Sequence, residues 1–160
     1  MQRVLAACGG FLLAVLWFDL MFDVQVLWHG VGALPEDVLA SIAGYYRRVT
    51  TEAFPMNRLI AAVMLVTVGG AAYAWARGAG PRWRARAALL SAALPVGLAA
   101  LRVVPNAVRL GTRADSLDIQ SQLARAVCYD HLICLAAIGV FLALQLTGRS
   151  GDDRTTAIRL

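Results

Sequence analysis

The sequence predicts an all-α integral membrane protein, a four-helix bundle that occupies residues 1–160 as a single domain. Of the 160 residues, 59% are hydrophobic and 16% are charged, whereas soluble domains carry about 45–50% and about 25% of these classes. The chain therefore has more apolar surface than one compact core of this size could hide. Four long apolar runs hold most of that surface, and a short amphipathic interfacial helix between the first two completes the predicted fold.

The four apolar runs lie at about 4–28, 59–76, 87–104 and 126–146. Each is about as long as a helix needs to cross a bilayer. The first run is too long for the apolar region of a signal peptide and lacks a small-residue cleavage site, so we expect a retained helix. Pro95 removes one helical hydrogen bond and predicts a kink in the third run. An acid-capped helix start at Asp115-Ser116-Leu117-Asp118 predicts that the fourth helix begins near Ser116.

The charged residues predict the orientation of the runs. All fifteen basic residues are arginines. The 77–86 connection carries four arginines and no acid, while the other two connections mix arginine with Asp and Glu. Arginines also occur at Arg3 and in the C-terminal tail, at Arg149, Arg154 and Arg159. The positive-inside rule then places both termini and the 77–86 connection in the cytoplasm of a bacterial-type inner membrane. Nucleic acid is not an expected partner, because the arginines flank apolar runs and do not cluster on a soluble surface.

The connection between the first two runs predicts a helix over about 35–51. Pro35 is suited to a first helical turn, and the two acids that follow it are favoured there by the helix dipole. Val38, Ile42, Tyr45 and Val49 recur at helical spacing. Such a helix either lies in the outer membrane interface or acts as a lid over the bundle.

Three carboxylates interrupt the apolar runs: Asp19, Asp23 and Asp130. A charge at the bilayer centre costs roughly 2.5–3.5 kcal/mol on insertion scales, so such residues are candidates for function. Asp19 and Asp23 are four residues apart and share one helix face. Two ionised carboxylates at that spacing repel each other, which calls for a shared proton, a cation or an arginine between them.

Polar residues of all four runs fall at similar depths in the predicted outer half. They predict an outward-facing polar and acidic pocket. We expect its ligand-binding residues to be Asp19, Asp23, Asn57, Arg58, Arg102 and Asn106, with His131 and Asp130 as catalytic candidates. The alternative is structural pairing, in which Arg102 neutralises a carboxylate and fixes helix packing.

The acids and His131 would also suit iron, manganese or zinc, but their spacing is not diagnostic of a metal site. Asp130 and His131 are adjacent and point about 100° apart on a helix. Cys128 and Cys134 are six apart on one helix, which puts them out of disulfide reach. The sequence leaves open whether a metal or another cofactor is bound.

The segment from about 104 to 147 resembles a known family. Val104-Pro105-Asn106, Arg109-Leu110, and Leu123-Ala124-Arg125 leading to His131-Leu132 and an apolar helix are similar to the C-terminal half of anthrone-oxygenase-like four-helix membrane proteins. The resemblance implies that Asn106 and His131 match polar positions of that family, some of whose members carry out cofactor-free oxygenation of polycyclic phenols. The chain departs from the family in having Tyr129-Asp130 before His131, where a Trp is usual.

Three functions compete on this evidence. The first is a pocket that binds a small molecule or a cation. The second is a membrane-embedded enzyme that acts on a lipophilic substrate, with His131 or Asp130 as general base. The third is an accessory subunit of a larger membrane complex, or a homo-oligomer, in which the acids meet arginines of a partner. In each case the lipid bilayer is the surrounding medium.

Overall fold

The computed structural model describes residues 1–78 and 80–147, and every regular element within them is helical. The helices are α1 (Gln2–Asp23), α2 (Glu36–Thr51), α3 (Met56–Ala76), α4 (Arg82–Leu98), α5 (Val104–Thr112) and α6 (Leu117–Thr147). A 3₁₀ helix at Val24–Trp28 extends α1, and a π-helical turn at Ala99–Val103 joins α4 to α5. The C-terminal tail with Arg149, Arg154 and Arg159 lies outside the described residues.

Four helical stretches of the described chain are long and apolar enough to cross a membrane: Gln2–Trp28, Met56–Ala76, Arg82–Thr112 and Leu117–Thr147. Large apolar side chains stay exposed along them, including Leu65, Leu90 and Leu101. A soluble protein rarely leaves so much apolar surface uncovered. The four predicted runs are therefore confirmed as candidate spans, and they support a helical membrane protein.

The third span is longer than the predicted run of 87–104. It extends from Arg82 to Thr112 and contains both Pro95 and Pro105. Within an α-helix the ring of Pro105 would clash with the carbonyl group four residues earlier. Here it follows the wider π-helical turn, in which the Val104 N–H donates to the Ala99 carbonyl five residues back. Because the turn accommodates the ring, the helix continues past 104, where the predicted run ends.

The fourth helix begins at Leu117, as its acid-capped start predicts, well before the apolar run at 126. The predicted helix at 35–51 is confirmed as α2. Its apolar residues Leu39 and Ile42 are fully buried in a core shared with α5 and α6. The interfacial helix is thus covered by protein on its apolar face, and the lid interpretation describes it better.

The backbones of α2 and α5 pack closely against each other at Gly111. A Cβ atom added at Gly111 would lie 3.1 Å from the Arg47 backbone nitrogen, so a side chain there would push the two helices apart. The core beneath includes Ala107, Leu110 and Val127. A second core, built by Leu5, Ala71, Ala88, Ala92 and Phe141, packs the opposite end of the bundle. The site described next lies at the α2 end.

Candidate functional site

Helices α1 and α2 meet through two tyrosine–aspartate pairs. The Tyr45 hydroxyl donates to Asp19 Oδ1 at 2.5 Å. The Tyr46 hydroxyl lies 2.7 Å from Asp23 Oδ1 and 2.8 Å from Asp23 Oδ2. Adjacent residues of α2 thus reach carboxylates one turn apart on α1.

His131 on α6 lies between the same two carboxylates. Its Nδ1 is 2.6 Å from Asp23 Oδ2, and its Nε2 is 3.9 Å from Asp19 Oδ2. The first distance is a hydrogen bond and the second is too long to be one. The five residues Asp19, Asp23, Tyr45, Tyr46 and His131 are called the acid–histidine cluster below.

Burial is graded across the cluster. The side chain of Asp23 is 0% exposed, that of His131 is 6% exposed and that of Asp19 is 15% exposed. Burial, reinforced by the charge of Asp23, raises the pKa of the Tyr46 hydroxyl well above its usual value. Burial likewise raises the pKa of Tyr45. Both phenols therefore stay protonated and act as donors to the carboxylates.

With both carboxylates ionised, the cluster carries an excess of negative charge. Two carboxylates and one imidazolium sum to −1, and a neutral imidazole would leave −2. In the described part of the chain, the arginines that form ion pairs bind acids outside the cluster: Arg102 with Asp130, Arg109 with Asp115 and Arg113 with Glu36. A buried site with this balance calls for a proton or another cation.

Asp130 belongs to a separate ion pair. Its Oδ2 accepts a hydrogen bond of 2.9 Å from Nε of Arg102, which lies on the π-helical turn. Asp130 is buried, whereas the side chain of Arg102 is more than half exposed. The predicted catalytic pair of Asp130 and His131 is therefore divided between two partners, since adjacent helical residues point in different directions. For Asp130, the geometry matches the structural-pairing alternative.

Besides Arg102, three other predicted ligand-binding residues lie away from the cluster's hydrogen bonds. Asn57 and Arg58 are exposed at the start of α3, where the Arg58 N–H donates to Asn57 Oδ1 at 2.7 Å. The Arg58 guanidinium lies 4.9 Å from the centre of the Phe54 ring. Asn106 is half-buried on α5 and takes part in none of the side-chain hydrogen bonds of the described residues. The expected convergence from all four runs is wrong for the second run, and α2 contributes in its place.

Tyr45 and Tyr46 were not predicted as site residues from the sequence. Tyr45 entered only as one of the residues at helical spacing in the 35–51 helix, and Tyr46 was not among the candidates. The available signal was the lid alternative for α2, because a lid would bring phenol groups over the acids of α1. The spacing of residues along the sequence does not predict which aspartate each tyrosine hydroxyl contacts.

No three His, Cys, Asp or Glu side chains of residues 1–78 and 80–147 are placed to hold a metal ion together. Cys8, Cys128 and Cys134 are free thiols, and the spacing of Cys128 and Cys134 on one helix accounts for the absence of a bond between those two. The contacts among the cluster's own side chains give it hydrogen-bonding and acid–base chemistry.

An open cleft of about 590 Å³ lies beside the cluster without including it. The cleft is lined by Val26, Leu27, His29, Gly30, Val31, Gly32, Asp118, Gln122, Arg125 and Tyr129. Arg125 donates to the carbonyl groups of Gly30 and Gly32 and so fixes the loop before α2. The predicted outward-opening pocket is therefore not formed by the acids, because the tyrosines of α2 cover them.

No protein-family model, curated protein or solved structure matches the chain.

Proposed function

We propose that the protein is a multi-pass integral protein of a bacterial-type inner membrane, and that its acid–histidine cluster binds a cation in exchange for a proton. The observation that carries the proposal is the position of His131 between two carboxylates, with the described ion-pairing arginines bound elsewhere. The four long apolar helices support the membrane setting.

The distribution of arginines supports an outward-facing cluster. The connection between α3 and α4 is rich in arginine and lies at the far end of both helices from α2. With this connection in the cytoplasm, the cluster occupies the outer half of the bundle and α2 covers it on the outer side. Asp19 is nine residues from Trp28, the last residue of the 3₁₀ helix that ends the first span.

The hydrogen bonds indicate where the exchangeable proton resides. Asp23 accepts from the Tyr46 hydroxyl, so the short contact to Nδ1 of His131 is best made by an Nδ1–H donor. In a neutral imidazole, Nε2 then directs a lone pair toward Asp19, which is repulsive. A proton on Nε2, or a cation beside it, removes the repulsion. Cation binding and proton binding at this point therefore compete.

Thermal unfolding of the purified protein in detergent tests the proposal. We expect the Tm to depend on both pH and added monovalent cations, and the cation response to weaken at low pH as protons occupy the site. In D19N this coupling should be lost. D118N is the matched control, because Asp118 is an exposed acid near the start of α6, and it should respond like the unmodified protein. A coupling retained in D19N would refute the assignment.

The Asp23–His131 pair also favours a second candidate function, a membrane-embedded enzyme with His131 as general base. An acid that accepts from one ring nitrogen orients the other nitrogen for proton transfer. Oxygen uptake and product formation should then be measured with lipophilic phenols and quinols, using H131A as the comparison. Equal turnover by both proteins would exclude His131 as the base.

A further inference from the structure

Asp19 is the exposed end of the acid–histidine cluster. Its side chain is 15% exposed, against 0% for Asp23 and 6% for His131. On α1 its exposed neighbours are aromatic: Phe18 is 63% exposed and Phe22 is 36% exposed. Asp19 also lies within the first candidate span. If that span crosses a bilayer, as proposed above, the open side of Asp19 faces hydrocarbon and aromatic rings, not bulk water.

Aromatic rings pack next to the exposed side of Asp19. The rings of Phe22 and Tyr45 are stacked, with centroids 4.1 Å apart and planes 9° from parallel. Tyr45 in turn meets Tyr46 edge-on at 5.2 Å. Aromatic faces attract organic cations, and a carboxylate beside them adds a charge-assisted hydrogen bond.

The gap between Asp19 and His131 specifies the donor that fits. Nε2 belongs to a side chain more than nine-tenths buried, and no hydrogen bond to it occurs among the described residues. It faces Asp19 Oδ2 across 3.9 Å. One atom with two or more N–H bonds could donate to both groups in a bent bridge. A quaternary ammonium group, which has no N–H, could make neither bond.

We infer that the cation bound by the cluster is a lipophilic primary or secondary amine in its ammonium form, which reaches Asp19 laterally along α1. The inference rests on the proposed function and names its ligand class. On binding, one N–H of the ammonium group donates to Asp19 and another to Nε2 of His131. The Nε2–H bond of the imidazolium breaks, and that proton passes to water. One cation enters for one proton released, so the net charge of the site is unchanged.

Proton release tests the inference directly. The purified protein is titrated in weakly buffered detergent solution with decylamine and, separately, with decyltrimethylammonium, while a pH-sensitive dye reports proton release. We expect decylamine to release about one proton per protein molecule at saturation. The quaternary compound should release none and should bind at least tenfold more weakly. D118N should behave like the unmodified protein, whereas D19N should release no proton.

A second variant keeps the test decisive if D19N does not fold. In F22A the polar atoms of the cluster are unchanged, but the ring beside Asp19 is gone. The affinity for decylamine should fall about threefold to tenfold, the range expected for one cation–π contact. W17A is the control, because Trp17 is likewise an exposed aromatic residue of α1 but lies two residues from Asp19 and so on a different face of the helix.

The possible results separate this inference from the proposed function. Equal binding of the two compounds, or binding of decylamine without proton release, would overturn the ligand class. If neither compound binds while the Tm still couples pH to inorganic cations through Asp19, the amine inference fails and the proposed function stands. If neither behaviour depends on Asp19, both fail.

Discussion

The hydroxyl of Tyr46 lies within hydrogen-bond distance of both carboxylate oxygens of Asp23, at 2.7 and 2.8 Å. Both side chains are almost completely buried. The contact joins α2, which covers one end of the bundle, to α1, which is one of the four long apolar helices. It also supplies a neutral donor to a carboxylate that has no arginine partner among the described residues. The cohesion of α1 with α2 and the chemistry of the cluster therefore depend on the same bond.

Replacing Tyr46 with phenylalanine should destabilise the protein more than the same change at Tyr45. Y46F leaves the fully buried Asp23 with one donor fewer, which costs about 1–3 kcal/mol of unfolding free energy. Y45F removes one bond from Asp19, whose side chain is 15% exposed and therefore less dependent on that donor. Denaturant unfolding in detergent measures both. Equal losses would contradict the graded burial of the two acids.

The Arg102–Asp130 pair should behave as a coupled unit. R102Q leaves a buried carboxylate unpaired and should lower stability by about 1–3 kcal/mol, less than for a fully enclosed pair because Arg102 is more than half exposed. The double variant R102Q/D130N removes the stranded charge and should recover part of the loss. A double-mutant cycle of unfolding free energies gives the coupling. Strict additivity would show that the two side chains do not stabilise the fold through their contact with each other.

Gly111 should not tolerate a side chain. In G111A the new methyl group would lie 3.1 Å from the Arg47 nitrogen and 3.2 Å from its Cα. Both are backbone atoms of α2, so the helix must shift, at a cost of about 1–3 kcal/mol.

Gly44 provides the control on α2 itself, where an added Cβ meets no atom within 4 Å. G44A should be neutral or stabilising by up to about 1 kcal/mol, because alanine favours the helix. Thermal unfolding of the two variants distinguishes close packing from helix propensity. A stable G111A would mean that α2 and α5 are not in backbone contact.

Stability should decline above about pH 10 because of Tyr45 and Tyr46. The pKa of each is raised in the folded protein, so the unfolded chain ionises first and its free energy falls relative to that of the folded protein as the pH rises. The stabilising effect is complete below the unfolded pKa and is lost as the pH rises toward the folded one. Each phenol contributes up to about 1.4 kcal/mol per pH unit in that window.

The composition of the chain makes this loss of stability at alkaline pH measurable. The sequence contains no lysine, so tyrosines and cysteines are the side chains that titrate there. The double variant Y45F/Y46F should lose less stability than the unmodified protein between pH 9.5 and 11, with Tyr73 and Tyr129 present in both. Identical pH profiles would show that the two phenols are not buried in the folded state.

Position along the helix axes was predictable from the sequence, but lateral position was not. The distance of a residue from the end of an apolar run gives its level along the bundle, and this placed Asp19, Asp23 and His131 at similar levels. It placed Asn57 and Arg58 there as well, although α3 packs on α1 and α4 and keeps these two residues exposed. Which helices are neighbours depends on packing, and hydropathy carries no information about it.

The extent of the third span was missed for a related reason. Pro105 is a normal signal for a helix end, and the rule failed because the preceding turn is π-helical. The spacing of Asp19 and Asp23 was a more reliable guide, since residues four apart share a face in any α-helix. Local geometry was thus predictable where the helix is regular and not where it departs from regularity.

The π-helical turn at Ala99–Val103 sets the rotational phase between α4 and α5. If its five residues followed an α-helical path, α5 would be turned by about 100° about its axis, because a π-helical turn takes up about one residue more than an α-helical turn. Ala107, Leu110 and Gly111 would then face away from α2, while α4 kept its place against α6. The covering of the cluster therefore depends on the wider winding of this turn. Related chains with the same function should keep the π-helical turn or lose it together with one residue, because only then does α5 keep its face toward α2.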